Sequence, residues 1–367
     1  MYTHDSRTVL TLDAGGTNFV FSALQGYRQV SQPVRLDAAP DDIDRCLNTL
    51  EQGFRQVMGQ LDTPPAAISF AFPGPADYVH GVIGDLPNFP AFRGGIALGP
   101  WLQQQFGMPV YINNDGNLFA YGEALAGFLP MVNSALESVG SPRRYNHLLG
   151  ITLGTGFGGG VVHEGVLYRG DNGCGGDVWC MRNSRYPHLI AEESVSIRAV
   201  RRVYAERSGC DADSLTPFDI FRIAEGFLPG NSEAARVSFY EMGQVAGEAV
   251  ATALDIVDGL VVLGGGVAGA AKYILPGMME ALQGTVATFA GNRFPLLQME
   301  VFNWEDEKQR RCFLAQCSDS VCIPHTDIRV PYQSQRCLCI GTSRNGASAS
   351  IMYGAYAYAL SELDKQH

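Results

Sequence analysis

The chain has 367 residues, 46% of them hydrophobic and 17% charged, and its 26 basic and 37 acidic side chains leave a net charge of −11. That length is a soft prior for two domains with ample core, and the acidic balance argues against a general nucleic-acid or anionic-membrane binder, so a small-molecule substrate is expected. No run of about 18 apolar residues occurs, and Met1 to Arg7 lead straight into a strand without a signal-peptide core, so the expected compartment is the cytoplasm.

Val9, Leu10 and Leu12 read as a buried strand that runs into Asp13-Ala14-Gly15-Gly16-Thr17-Asn18. Gly15 and Gly16 permit positive φ, so successive amides can face an anion, while Asp13 could hold Mg²⁺ or its water and Thr17 could donate to a phosphate oxygen. A Walker loop would need its Lys, and no G-x-x-x-x-G-K-[ST] occurs. Asn18 to Leu24 continue as β-branched and aromatic sequence, which predicts a β-hairpin, and a plain glycine turn stays as open here as a phosphate loop.

Strand character continues over residues 30–36, and 41–61 read as a helix with Ile43, Leu47, Leu50, Phe54 and Val57 at helical spacing. Residues 67–72 predict a strand ending at Pro73-Gly74-Pro75. A short helix near 101–106 precedes a strand over 109–112, which ends at Asn113-Asn114-Asp115 before a helix over 116–128. The order then begins again, with a strand over 147–153 meeting Gly154-Thr155-Gly156-Phe157-Gly158-Gly159-Gly160 and a second strand region over 161–168 turning at Gly165. This repeat of strand, glycine turn and strand predicts two similar lobes, each with a mixed sheet flanked by helices, around a central cleft.

Residues 195–290 read as mostly helical, with Phe239, Met242, Ala246, Ala249, Ala253 and Ile256 forming one apolar stripe. A strand over 260–263 feeds Gly264-Gly265-Gly266 and a helix from about Ala268. Residues 301–345 have no clear period, and 347–363 read as a helix. Nine scattered cysteines, odd in number, read as reduced thiols; Cys312, Cys317, Cys322, Cys337 and Cys339 lie near His325, but no C-x-x-C pair supports a metal there.

Gly154–Gly159 and Gly264–Gly269 both match G-x-G-x-x-G. The first is followed by strand and the second lacks a clear acid about 20 residues on, so three backbone patches around a phosphorylated ligand fit better than a dinucleotide fold. Asp115, at a strand end, is a candidate for acid–base chemistry and equally a candidate helix N-cap.

These motifs, in this order, resemble the ROK family of sugar kinases and sugar-responsive regulators within the actin-like ATPase superfamily, with its ribonuclease H-like α/β lobes. Asp13 to Asn18 look like its first phosphate motif, Pro73-Gly74-Pro75 like its sugar-side loop, and Asp85-Leu86-Pro87-Asn88-Phe89 like a sugar-binding segment. Asn114-Asp115-Gly116-Asn117, with Glu123 later, resembles the catalytic segment. Leu153 to Gly160 resemble the second phosphate motif, and Leu263 to Val267 the adenosine-side turn.

The resemblance implies ATP-dependent phosphorylation of a hexose or N-acetylhexosamine with Asp115 as general base. Gly15, Gly16, Thr17, Thr155, Gly156 and Gly264 to Gly266 would hold ATP, and Asp13 the Mg²⁺ environment. Gly74, Asn88, Asn114, Asp177 and Glu192, with Glu193 a rival by one position, would hold the sugar. It implies lobes of residues 1–117 and 118–345, with a terminal helix over 346–367 returning to the first, and a homodimer.

The chain departs from the family at Gly176-Asp177-Val178-Trp179-Cys180, where a Gly-Glu-x-Gly-His motif and a zinc-binding cysteine cluster are usual. Residues 181–191 contain no cysteine, so no structural zinc is expected, with Trp179 packing in its place. The alternative reading is a catalytically silent sugar-binding sensor or a regulator lacking a helix-turn-helix. Only 12 residues precede Asp13, which makes direct DNA binding unexpected.

Overall fold

The computed structural model describes residues 1–14, 17–74, 76–84, 90–315, 319–332 and 335–365. They form two compact units, Met1–Gly127 with Gly160–Gly176 and Asn345–His367, and Phe128–Gly159 with Asp177–Arg344. Against the expected division at 117, the helix that follows Asn114 and the stretch 160–176 both group with the first unit.

In the first unit β1 (Val9–Ala14) and β2 (Asn18–Gln25) form the expected hairpin, in register from Val9 opposite Leu24 to Ala14 opposite Phe19. β3 (Arg28–Gln29) and β4 (Val34–Asp37) pair with β2 and complete the meander. Helix α1 (Ile43–Met58) starts where the Asp42 side chain accepts the Arg45 N–H at 3.1 Å. Its Leu50, Phe54 and Val57 are buried against Phe19 and Phe21 of β2, with the Phe54 ring 5.0 Å from that of Phe21.

β5 (Ala67–Ala71) is buried along its whole length, as a strand covered on both faces must be. A small antiparallel pair, β6 (Ala76–Asp77) and β7 (Val82–Ile83), and helix α2 (Leu98–Phe106) precede β8 (Val110–Asn113). β1, β5 and β8 run parallel, so Ala14, Ala71 and Asn113 end at one edge of the sheet. Ligands of open α/β sheets bind at such carboxyl edges.

Helix α3 (Asp115–Ala126) leaves that edge directly. The expected helix over 116–128 is broken at Gly127, and α4 (Phe128–Ser138), which the sequence reading did not separate, begins the second unit. There β9 (His147–Leu153) is followed by β10 (Phe157–His163), whose far end pairs with β11 (Val166–Tyr168) in the first unit.

Helices α5 (Ile197–Ser208), α6 (Pro217–Ala224) and α7 (Ser232–Val257) follow. The α7 stripe is buried from Phe239 to Ala253, but Ile256 is 85% exposed in the last turn, where the helix has run past its partners. β12 (Leu260–Gly264) and α8 (Ala271–Leu282) come next, the latter after a 3₁₀ turn over Gly266–Ala270 where a helix from Ala268 was expected.

Two short hairpins, β13 (Thr285–Ala287) with β14 (Arg293–Pro295) and β16 (Asp319–Cys322) with β17 (Arg329–Tyr332), flank β15 (Glu300–Asn303) and α9 (Glu307–Leu314). β18 (Cys337–Thr342) pairs parallel with both β12 and β15, and β12 pairs parallel with β9. The second unit thus repeats the logic of the first, with parallel strands whose carboxyl ends carry the glycine turns.

The chain finishes in α10 (Ala347–Asp364), which returns to the first unit. Its Tyr356, Ala359 and Leu360 are buried with Val9, Leu24 and Ala67, so the sheet is covered on a second face. α10 also crosses α3 closely, because a Cβ on Gly122 would stand 1.9 Å from the Ser350 carbonyl oxygen and one on Gly354 1.8 Å from that of Leu118. No helix among the described residues is long and apolar enough to cross a membrane.

Candidate active site

In the first unit, Asp13 is half-buried near the end of β1, opposite Val20. Gly15 and Gly16 lie outside the described residues. Thr17 is exposed, and its hydroxyl oxygen accepts from Asn18 Nδ2 at 3.1 Å, which leaves its proton for a further acceptor. Gly74 is exposed beyond β5, where Tyr78 donates to the Phe72 carbonyl at 3.0 Å and the Phe72 N–H donates to the Asn113 carbonyl at 2.9 Å. Asn88 lies outside the described residues, as do Pro75 and the rest of 85–89.

The corner between β8 and α3 separates the two readings of Asp115. Asn114 has extended backbone, and its Oδ1 accepts the Asn117 N–H at 2.6 Å, so Asn114 is the N-cap and Asp115 the first helical residue. Asn113, 1% exposed, braces the corner by accepting from the Asn114 N–H at 2.9 Å and from Asn117 Nδ2 at 3.1 Å.

The Asp115 carboxylate is exposed, and its Oδ1 accepts the Gly116 N–H at 2.9 Å. Desolvation by the surrounding protein pushes its pKa above the ordinary value of 3.8, and hydrogen bonds from the Gly116 and Asp115 backbone partly offset that push. Water at the exposed face further softens it. Glu123, by contrast, is fully buried and accepts from the Ser350 hydroxyl of α10, which makes it a fastener of α3.

In the second unit the two glycine turns sit side by side, since Gly264 pairs in register with Thr152 just before Gly154. Gly154 is held by its N–H to the Gly156 carbonyl at 3.1 Å, and its own carbonyl accepts the Ile197 N–H at 2.9 Å. Thr155 is exposed, Gly264 and Gly265 are at least half-buried, and Gly266 is exposed.

Glu192 reaches this second turn. Its Oε2 accepts the Phe157 N–H at 3.1 Å and stands 2.4 Å from where a Cβ on Gly156 would be, so position 156 admits no side chain without a shift. Glu193 lies 3.7 Å from Arg198, the same guanidinium that Glu192 approaches. Arg198 itself was missed by the sequence reading. It lies 3.5 Å from both Glu192 and the Thr155 carbonyl, at the start of α5, and only its place after Ser196 could have flagged it.

Two metals are at issue. Mg²⁺ takes hard oxygen ligands, often one or two carboxylates completed by phosphates and water, and a half-buried aspartate at a strand end such as Asp13 offers that chemistry. A structural zinc needs about four Cys or His donors converging. Asp177 is half-buried, the exposed Cys180 thiol donates to the Asp177 carbonyl at 3.2 Å, and His188 is exposed. Among the described residues of 177–194, no three such ligand atoms come together, so the donor set does not fit zinc. Trp179, expected to pack in the metal's place, is 41% exposed. Of the late cysteines, Cys337 and Cys339 are buried in β18 with their thiols pushed up by desolvation, Cys312 and Cys322 are exposed, and Cys317 lies outside the described residues.

A solved glucokinase from Parabacteroides distasonis is 53% identical to the chain, with a TM-score of 0.87 and coverage of 98% of this chain and 99% of that one. A ROK family glucokinase from Streptomyces griseus, solved in complex with glucose and AMPPNP, shares the fold at 18% identity and a TM-score of 0.59 over 95% of this chain and 98% of that one. A glucokinase of Thermotoga maritima is 27% identical over 171 residues, 46% of this chain and 49% of that protein. The chain thus spans about half the length of the curated relatives it first matches, although an N-acetyl-D-glucosamine kinase of Photobacterium profundum matches at 27% over 275 residues, 69% of this chain and 82% of its own. The ROK family model matches residues 9–301, and this chain belongs to the ROK family, with its actin-like α/β fold.

Proposed function

We propose that this protein transfers the γ-phosphoryl group of ATP to a hydroxyl of a hexose or N-acetylhexosamine, with Asp115 as general base. The observation that supports this most is the division of labour at the β8–α3 corner. Asn114 caps the helix, and the Asp115 carboxylate is left exposed at the carboxyl edge of three parallel strands with a raised pKa. A sugar hydroxyl is far too weak an acid to ionise unaided. In this reading Asp115 takes its proton as the oxygen attacks the γ-phosphorus in line, and ADP leaves.

Asn114, whose cap uses Oδ1, keeps its Nδ2 protons for a sugar oxygen, and Gly74, Asn88, Asp177 and Glu192 complete the sugar side. Thr17, Thr155 and the glycines at 15, 16, 156 and 264–266 bind ATP through hydroxyl and backbone N–H donors. Mg²⁺, when bound near Asp13, supplies neutralisation of phosphate charge. A cytoplasmic homodimer belongs to this reading and rests on family membership alone.

The test is ADP release with ATP, Mg²⁺ and a panel including glucose and N-acetylglucosamine, run beside Asp115→Asn. Turnover that falls about 10²–10⁴-fold in the variant supports a general base; no sugar above the variant's rate refutes the kinase. Cys180, whose thiol is spent on its own turn, favours a second reading in which sugar binds without turnover. Quenching of Trp179 fluorescence by a sugar that releases no ADP would select it.

A further inference from the structure

The stretch from Asp177 to Ser194 is irregular chain between two 3₁₀ turns, Val178–Cys180 and Ala191–Glu193. Irregular backbone must find hydrogen-bond partners away from regular ladders, and the donor set of this loop does not fit a zinc cross-link. The ends of the loop are drawn together by the Ala191 N–H donating to the Met181 carbonyl at 2.7 Å and by a bridge between Arg182 and Ile190.

At the centre stands Asn183, with no exposed surface. Its Nδ2 donates to Ser194 Oγ at 2.8 Å and to the Ile190 carbonyl at 3.1 Å, while its Oδ1 accepts the Arg185 and Tyr186 N–H groups at 3.1 and 3.0 Å. One amide side chain thereby uses both donors and both lone pairs on four points of the loop, which is the full capacity of the group. The outer rim is held by Arg185 on Glu241 of α7 at 2.8 Å and by the Arg202 guanidinium 5.5 Å over the Tyr186 ring.

Ser194, the farthest of these partners, lies two residues beyond Glu192, whose carboxylate holds the Phe157 N–H at the second glycine turn. We propose that Asn183 is a positioning residue, a metal-free clasp that closes residues 183–194 and so presents Glu192 to that turn. The clasp stands on geometry alone; its effect on sugar affinity rests on the kinase reading above.

The full-length protein is treated with trypsin, which cuts after Arg182 and Arg185, alongside Asn183→Ala, Asn183→Asp and Ser194→Ala, with folding checked by circular dichroism and zinc by metal analysis. Cleavage of the opened loop is expected about tenfold faster in Asn183→Ala, less so in Asn183→Asp and Ser194→Ala, and unaffected by added zinc. Asn183→Asp keeps the two acceptor bonds and loses both donations, to Ile190 and to Ser194, although the Ser194 hydroxyl can turn to donate to the new carboxylate, so it carries the test if the alanine variant does not fold. The purified wild type is expected to hold substoichiometric zinc, and KM for glucose or N-acetylglucosamine is expected to rise about tenfold with a smaller change in KM for ATP. Equal cleavage of wild type and the folded variants, or stoichiometric zinc whose removal speeds cleavage, overturns the clasp. Absence of turnover with every sugar while the cleavage difference persists overturns the kinase reading and leaves the clasp standing.

Discussion

Helix capping and the proton abstraction proposed above both call on a side-chain oxygen, and at the end of β8 the cap falls to the Asn114 amide, which leaves the neighbouring Asp115 carboxylate outside the cap. Sequence spacing could not separate Asn114 from Asp115, because either is a favoured cap and the choice depends on which one keeps extended backbone. The raised pKa of Asp115 has two consequences. The logarithm of kcat/KM should climb with pH through an apparent pKa above 3.8 and then level off, and Asp115→Asn should abolish that limb. For stability the sign is the reverse: the fold favours the protonated form, so this contribution is full below 3.8 and lost as pH rises through the folded pKa. Asp115→Asn should therefore melt higher than wild type at pH 7, with the gap closing in acid, as calorimetry would record. Asn183 was unreadable for a different reason. Its importance comes from four partners brought together by loop closure, and no spacing encodes that.

At the scale of elements, legibility tracked burial on one face. The stripe on α1 and most of that on α7 could be read because a helix with one covered side repeats its apolar residues at 3.6. Residues 301–345 could not: Val321, Ile328, Val330 and Tyr332 of the β16–β17 region are exposed, so no covered face imposes alternation there, while β18 is buried almost throughout and so does not alternate either. The α3–α10 crossing was equally silent, because glycines mark close approach without naming the partner. It fixes the axis of the helix that begins with Asp115. Gly354→Ala should force the two helices apart at a cost of about 1–3 kcal/mol, measured by urea unfolding. The accompanying shift of Asp115 should lower kcat more than it raises KM.

For the whole molecule, the repeated strand, glycine turn and strand gave away an α/β architecture with two main sheets, while the limits of the units were less visible. Residues 160–176 join the first unit although the chain has by then entered the second, and sequence order carries no sign of such a return. Truncation after Arg344 removes α10 and bares Val9, Leu24 and Ala67, a loss of about 5 kcal/mol or more from buried apolar area. That truncated protein should show a noncooperative or missing first-unit transition by calorimetry, with the second unit's signal retained.

The return of α10 also sets an order of events during synthesis. A ribosome makes β1 first and α10 after the whole of the second unit, so the apolar face of Val9, Leu24 and Ala67 emerges well before the helix that covers it. The second unit lies within 128–344 and can condense as it appears, whereas the first must wait for its last segment. In the interval the nascent chain displays an uncovered sheet face of the kind that molecular chaperones bind. The half that holds Asp115 is the half that matures last.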